Sequence, residues 1–175
     1  IVPQIIDEAS RRGDNKSGVI NSLVLLQNAG PKALRAERER IEPLLQHAER
    51  SGPQSAEQVA RVRAAMRPIV YIQIGDEAQR LFATRLQRDL TEQGFEVPDI
   101  ENVKDPNKLP ASPEVRLRDG SSRGGGLIVA LQIESLGAPK PIAKTIKQAR
   151  VERDTYEVWL SRAMCMERGQ PPAAC

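Results

Sequence analysis

Aromatic residues are scarce in this chain of 175 residues, and they all lie after residue 70. They are Tyr71, Phe82, Phe95, Tyr156 and Trp159. Because so few aromatic rings are available, the hydrophobic core must be built from Leu, Ile, Val and Ala. The uneven distribution also indicates that the two halves of the chain differ in kind.

Long hydrophobic runs and a strong charge of one sign are also lacking. No stretch approaches about eighteen consecutive apolar residues, so we expect no membrane-spanning helix. The formal net charge is only +3. So small an excess is not the one-sided basic footprint of a protein that binds phosphate backbones, and it makes nucleic acid an unfavoured partner.

Histidine and cysteine are rare. His47 and two cysteines, Cys165 and Cys175, cannot supply the four ligands of a structural zinc site. Both cysteines lie in the Pro-rich tail over residues 161–175, where a disulfide in an oxidising compartment and two free thiols both remain open. We expect neither a metal nor a cofactor.

Residues 1–67 have the periodicity of helices. Val2, Ile5 and Ile6 form one apolar face, and a longer apolar run over residues 19–29 ends at a Gly-Pro pair. Ser55, followed three residues later by a glutamine, resembles the capping box of a further helix. This part of the chain is predicted to be a small helical hairpin or bundle subdomain.

Residues 68–160 alternate strands with helices. In IVYIQIG, over residues 69–75, apolar residues alternate with Tyr71 and Gln73, which is typical of a half-buried strand. Asp76 and Gln79 resemble a capping box for the helix that follows. Further along, the segments FEVPDIENV, EVRLR and TYEVWL are extended, and LIVALQIESLG is a short apolar helix. This βαββαβ order predicts an α+β, ferredoxin-like domain with a four-stranded antiparallel sheet, in which residues 141–154 are ambiguous between helix and irregular structure.

The glycine-rich segment DGSSRGGGLIV invites comparison with a phosphate-binding loop. Gly120 and Gly125 have the spacing of such a loop, but Gly126 and Leu127 stand where Lys and Ser or Thr are needed. An unmatched motif of this kind usually marks a mobile loop. Because no activated nucleophile or favoured carboxylate pair accompanies it, we expect a protein that is not an enzyme.

One face of the predicted sheet is the candidate binding surface. If both helices cover one side, the apolar side chains Val70, Ile72, Ile74, Val115, Leu117 and Val158 face them. The opposite side then presents the candidate ligand-binding residues Tyr71, Gln73, Arg116, Arg118, Glu157 and Trp159. Flat rings and guanidinium groups beside amides suit stacking on sugars or bases and hydrogen bonding to their polar edges. A second interpretation stays open, in which residues 1–67 pack on this side.

A basic stripe follows the second helix of this domain. It consists of Lys140, Lys144, Lys147, Arg150 and Arg153. Such a stripe either meets an acidic partner or is a solvated face, and the sequence leaves both interpretations open.

Four segments of the second half occur in the same order in a known group of domains. They are an opening strand like VYIQIG, a helix ending in LTEQGFEV, a middle strand like EVRLR and a final strand like YEVWL. In these segments, residues 69–160 resemble the small βαββαβ modules of bacterial envelope proteins, namely the sporulation-related repeat (SPOR) domain and the C-terminal domain of LytR-type proteins. The resemblance implies a ferredoxin-like fold, a non-catalytic role and, for the sporulation-related kind, binding of peptidoglycan glycan strands. The glycine run and the insertion over residues 138–154 depart from this pattern.

We therefore expect a non-enzymatic binding or interaction module that recognises a cell-wall glycan or an envelope protein through the open sheet face. Two alternatives are an accessory domain of a larger hydrolase or signalling protein, and a single-stranded nucleic-acid binder. The expected location is periplasmic or otherwise extracytoplasmic, with the cytoplasm as the alternative.

Overall fold

In the computed structural model, the chain divides into two units, Ile1–Arg67 and Pro68–Cys175. The structure describes residues 1–12, 16–104, 108–118, 121, 123–147, 154–161 and 164. Among these residues, no helix is both long enough and apolar enough to cross a bilayer.

The first unit consists of helices. They are α1 (Val2–Arg12), α2 (Lys16–Asn28), α3 (Pro31–Ala36), α4 (Arg38–Glu49) and α5 (Pro53–Ala65). Their apolar faces meet in one core, in which Leu23, Leu26 and Ile41 are fully buried. Each of α3 and α5 starts with a proline directly after a glycine of positive φ, which is where a proline is best tolerated in a helix.

The predicted capping box at Ser55 is wrong. Gly52 stands at the N-terminal boundary of α5, no side chain caps that boundary, and Ser55 is buried inside the first turn. The side-chain oxygen of Gln58 accepts a hydrogen bond from the Gln27 amide instead, so this glutamine links α5 to α2. A tertiary contact has replaced the local one that the sequence pattern indicated.

The second unit combines a sheet with two helices. The strands are β1 (Ile69–Ile74), β2 (Glu101–Asn102), β3 (Glu114–Arg118), β4 (Ile142–Ile146) and β5 (Thr155–Trp159). The helices are α6 (Arg80–Glu92), which follows a 3-10 turn over Glu77–Gln79, and α7 (Arg123–Ser135). The fold is therefore mixed α/β, with strands and helices alternating along the chain.

The predicted four-stranded antiparallel sheet, on which the ferredoxin-like expectation depended, is wrong. Within the described ranges, the sheet has five strands in the order β2-β1-β5-β3-β4. β1 pairs in parallel with both β2 and β5, β3 pairs in parallel with β4, and only β3 and β5 are antiparallel. The physical reason is that α6 and α7 are each a crossover between two neighbouring strands, and a helical crossover returns the chain in the same direction.

The extra strand lies in the segment that was ambiguous in the sequence. Residues 142–146 form β4 at one edge of the sheet, and most of its residues are exposed. The opposite edge is β2, which follows Pro98 in the extended segment FEVPDIENV; a proline is best tolerated at such an edge, because it has no N–H to donate.

The core of the second unit lies between the sheet and its two helices. Alternate residues of β1, β3 and β5 are buried there against α6 and α7. The six apolar strand residues predicted to face the helices, Val70, Ile72, Ile74, Val115, Leu117 and Val158, all belong to this core. Since side chains alternate along a strand, the residues between them lie on the other side of the sheet.

The turn from β1 into α6 is held by two side chains. Asp76 accepts a hydrogen bond from the Ala78 N–H at 2.8 Å. Gln79 does not complete a capping box with it. Its side-chain oxygen accepts from the Gly75 N–H at 2.9 Å, and its amide donates to the Ser161 carbonyl at 2.8 Å. This buried glutamine therefore ties the end of β1 to the residues that follow β5.

Candidate ligand-binding face

The side of the sheet opposite the helical core carries polar residues in two cross-strand rows, which we call the polar face. The first row contains Glu101, Gln73, Trp159, Glu114 and Ile142, on β2, β1, β5, β3 and β4 in turn. The second row contains Tyr71, Glu157, Arg116 and Lys144, on β1, β5, β3 and β4. Neighbours within a row are cross-strand partners, so their side chains lie within interaction distance.

Trp159 lies at the centre of the polar face. Its cross-strand partners are Gln73 on one side and Glu114 on the other. The indole Nε1–H donates to Glu157 Oε2 at 2.9 Å, and the guanidinium carbon of Arg116 lies 4.2 Å from the centroid of the ring. Two polar groups therefore hold the indole in one orientation.

Glu114 joins the two basic side chains of the polar face. Nε and Nη2 of Arg116 each lie 2.9 Å from Glu114 Oε2, and Lys144 Nζ donates to Oε1. The Glu114 side chain is only 5% exposed, whereas those of Arg116 and Lys144 reach solvent. Burial alone raises the pKa of this carboxyl, but the hydrogen bonds from Lys144 and Arg116 outweigh that effect and place it below its ordinary value.

Gln73 supplies a buried hydrogen-bond acceptor beside the indole. Its amide nitrogen donates to Glu101 Oε2 at 2.9 Å. Its carbonyl oxygen Oε1 is buried and has no hydrogen-bond partner among the residues that the structure describes. A buried acceptor without a partner is costly, and a ligand could supply the missing donor only after a neighbouring side chain moves aside.

The sequence-predicted site residues are largely brought together. Tyr71, Arg116, Glu157 and Trp159 share one side of the sheet, and Tyr71 is 40% exposed. Gln73 shares that side but is only 8% exposed, because its neighbours cover it. The register of β3 places Arg118 opposite Ile146 of β4, while its side chain lies outside the described part of the structure. Cys165 and Cys175 also lie outside the described residues.

Sequence reasoning missed three members of the polar face. Glu114 precedes Arg116 by two residues in EVRLR, so the alternation that identified the arginine could also have identified the glutamate. Lys144 was assigned to a basic stripe after the second helix, because its segment was not recognised as a strand. Glu101 lies on a strand of only two residues, which has no detectable alternation of its own.

The glycine-rich segment has a packing role in the described part of the chain. Gly124, Gly125 and Gly126 lie inside α7 and not in a loop. A Cβ on Gly125 would collide with the buried side chain of Tyr156, which belongs to β5. The absence of side chains thus lets α7 approach the sheet closely.

The carboxylates at the centre of the polar face are engaged by neighbouring side chains. Among the described residues, no group of three or more His, Cys, Asp and Glu side chains is placed to hold a metal ion. The carboxylate of Glu114 is occupied by two cations, and that of Glu157 accepts the indole N–H. What the polar face offers to a ligand is an oriented ring, an exposed phenol and a buried carbonyl acceptor.

Comparisons with protein-family models, with curated proteins and with solved structures found no match for this chain.

Proposed function

We propose that this chain is a non-enzymatic binding module whose polar face recognises a glycan strand of the bacterial cell wall. The main support is the arrangement around Trp159. Glu157 and Arg116 orient the indole. A ring that is already oriented loses little freedom on binding, and a sugar ring stacks on such a surface through its C–H groups.

The hydrogen-bonding groups around the ring favour a ligand rich in hydroxyl donors. The N–H donors of Trp159, Arg116 and Gln73 already bond carboxylates within the polar face. The carbonyl oxygen of Gln73 needs a donor. Hydroxyl and acetamido groups of amino sugars provide O–H and N–H donors on either side of an apolar ring surface, which matches this pattern.

The charge balance argues against a phosphate-containing ligand. Three carboxylates lie on the polar face, those of Glu101, Glu114 and Glu157, and both Arg116 and Lys144 bond to Glu114. A nucleic-acid backbone would have to compete with that carboxylate for the two cations. A neutral polar ligand meets no such competition, so a glycan is preferred to single-stranded RNA or DNA.

The resemblance to envelope modules supports the same ligand class. It rests on four segments, those around β1, the end of α6, β3 and β5, and it implies a periplasmic or otherwise extracytoplasmic location. Of these, β3 and β5 supply the central residues of the polar face. The chain would then act as the wall-binding part of an envelope protein.

Binding to purified peptidoglycan tests this proposal directly. The full chain is sedimented with purified sacculi and also titrated with N-acetylglucosamine oligomers by calorimetry. We expect Trp159→Ala to weaken binding about tenfold, since an aromatic platform contributes on the order of 1.4 kcal/mol. Trp159→Phe keeps an aromatic ring and should weaken binding less than Trp159→Ala does.

The matched control is Arg88→Ala, an exposed arginine of α6 that lies among its own acidic neighbours. It should bind sacculi as the wild type does. No binding by the folded wild-type chain, or equal binding by Trp159→Ala, would contradict the proposal. Tight, salt-sensitive binding of a single-stranded oligonucleotide in place of sacculi would favour the nucleic-acid alternative.

A further inference from the structure

The outer strand β4 is exposed along nearly its whole length. It is the edge of the sheet, and among the described residues it pairs only with β3. Ile142, its first residue, is 50% exposed, and the three residues after it are also exposed. Exposed edges of this kind are the usual place for another extended segment to pair, because their outward backbone groups lack a strand partner.

The outward backbone groups can be identified from the ladder. The N–H of Ile142 donates to the Pro113 carbonyl, at the β3 side, at 2.8 Å. Backbone groups of alternate residues point to the same side of a strand, so those of Lys144 and Ile146 also point toward β3. The N–H and C=O groups of Ala143 and Thr145 therefore point away from the sheet and form the docking edge.

Two exposed leucines of α7 lie near this edge. α6 packs on β1 and α7 packs on β3, so the side of α7 that turns away from α6 lies toward β4. Gln132 marks the side facing α6, since its side chain bonds Gln93 and Asp89 of that helix. With about 100° between successive residues, Leu127 lies on the opposite flank together with Glu134, and Leu131 points toward solvent. These leucines are 60% and 55% exposed.

The charge around the edge is basic. Residues 136–147 contain three exposed lysines, Lys140, Lys144 and Lys147, and no Asp or Glu. Lys144 also donates to the Glu114 carboxylate of β3, but Arg116 bonds the same carboxylate, so an excess of positive charge remains. A second copy of β4 added to this edge would bring like charges together, which is unfavourable. An acidic segment would instead be attracted to it.

We propose that β4 is a docking edge for an extended, acidic segment of a partner protein, which adds to the sheet as a sixth strand. Backbone groups of Ala143 and Thr145 would pair with it. Its alternate side chains would be apolar on the side of Leu127 and acidic on the side of Lys144, because successive residues of a strand point to opposite faces. This site involves a different surface from the centre of the polar face and does not depend on the glycan proposal.

A synthetic peptide of alternating valine and glutamate is the probe. Fluorescence anisotropy measures its binding to the full chain, and a peptide of alternating valine and lysine is the matched control. We expect the glutamate peptide to bind at least tenfold more tightly than the lysine peptide. We also expect it to slow amide hydrogen exchange at Ala143 and Thr145, because strand addition protects outward N–H groups.

Thr145→Pro removes one outward N–H and leaves the β3 ladder intact, a change that edge strands tolerate. It should weaken peptide binding at least tenfold, whereas Thr145→Val, which keeps the N–H, should not. Undiminished binding by folded Thr145→Pro would overturn the proposal, as would equal affinity for the two peptides. If that variant fails to fold, unchanged exchange at Ala143 and Thr145 of the wild-type chain at saturating peptide would overturn it as well.

Discussion

The guanidinium carbon of Arg116 lies 4.2 Å from the centroid of the Trp159 ring. This distance is within the range of an attractive cation–π contact. Glu114 holds the arginine through two nitrogen–oxygen contacts, each of 2.9 Å. The ring and the cation are therefore fixed relative to each other by a third, buried group, and their contact should be measurable as an energetic coupling.

A double-mutant cycle on this pair should show coupling of about 0.5–1 kcal/mol. The variants are Arg116→Ala, Trp159→Ala and the double variant, and urea unfolding followed by circular dichroism gives the free energy of unfolding of each. The same cycle with Arg88 in place of Arg116 is the control, because Arg88 lies on α6 and ion-pairs with Asp89. Additive effects of Arg116→Ala and Trp159→Ala would show that the contact contributes nothing to stability.

The Glu114 carboxylate should make the stability of the second unit sensitive to acid. Its folded-state pKa is below the ordinary value, because hydrogen bonds from Lys144 and Arg116 outweigh burial. A depressed pKa stabilises the fold fully above the pKa of an unfolded glutamate, about 4.3, and this contribution is lost as the pH falls through the folded pKa. Trp159 is the only tryptophan, so its fluorescence can follow the unfolding of this unit.

Glu114→Gln should therefore lower the free energy of unfolding at neutral pH by about 1–2 kcal/mol. When the pH falls below about 4, the variant should lose much less of its free energy of unfolding than the wild type does. Glu96→Gln, at an exposed glutamate, is the matched control and should retain the wild-type pH profile. If Glu114→Gln and the wild type lose stability in parallel down to low pH, the carboxylate does not have the assigned role.

The inward and outward faces of β1 and β5 could be predicted from the sequence, whereas the strand order could not. In IVYIQIG and TYEVWL, the residues of the helix-facing core recur at every second position, so each face was visible locally. β4 shows no such period, because both of its faces are exposed and Ile142 is among the exposed residues. The direction of pairing depends on which strands meet across the helical crossovers, and that is a long-range property.

The polar face was partly predictable for the same reason. Trp159 and Arg116 alternate with core residues of their own strands, but their contact depends on the antiparallel register between β5 and β3. Lys144 joins the group only because β4 pairs with β3. The role of Gly125 likewise depends on Tyr156, which is distant in sequence, so the local glycine pattern indicated a loop instead of a helix–sheet contact.

Gln79 should contribute strongly to stability, because it links the ends of two neighbouring strands. Its buried side chain pairs both the Gly75 N–H and the Ser161 carbonyl. Gln79→Ala leaves these groups without that partner and should lower the free energy of unfolding by about 2–4 kcal/mol, measured by urea unfolding with Trp159 fluorescence. Gln93→Ala, which removes an exposed glutamine bonded to Gln132, should cost less than about 1 kcal/mol. Similar losses in both variants would argue against a special role for Gln79.

Two neighbouring glycines of α7 should respond oppositely to the same substitution. A Cβ on Gly125 would overlap the hydroxyl end of Tyr156, which is buried and cannot easily move. Gly125→Ala should therefore lower the free energy of unfolding by about 1–3 kcal/mol. A Cβ on Gly126 would lie 3.7 Å from the nearest atom of the same ring, an ordinary contact. Since alanine is favoured over glycine inside a helix by about 1 kcal/mol, Gly126→Ala should be neutral or stabilising. Thermal unfolding followed by Trp159 fluorescence measures both variants, and a stabilising Gly125→Ala would show that α7 does not approach the sheet as closely as this contact requires.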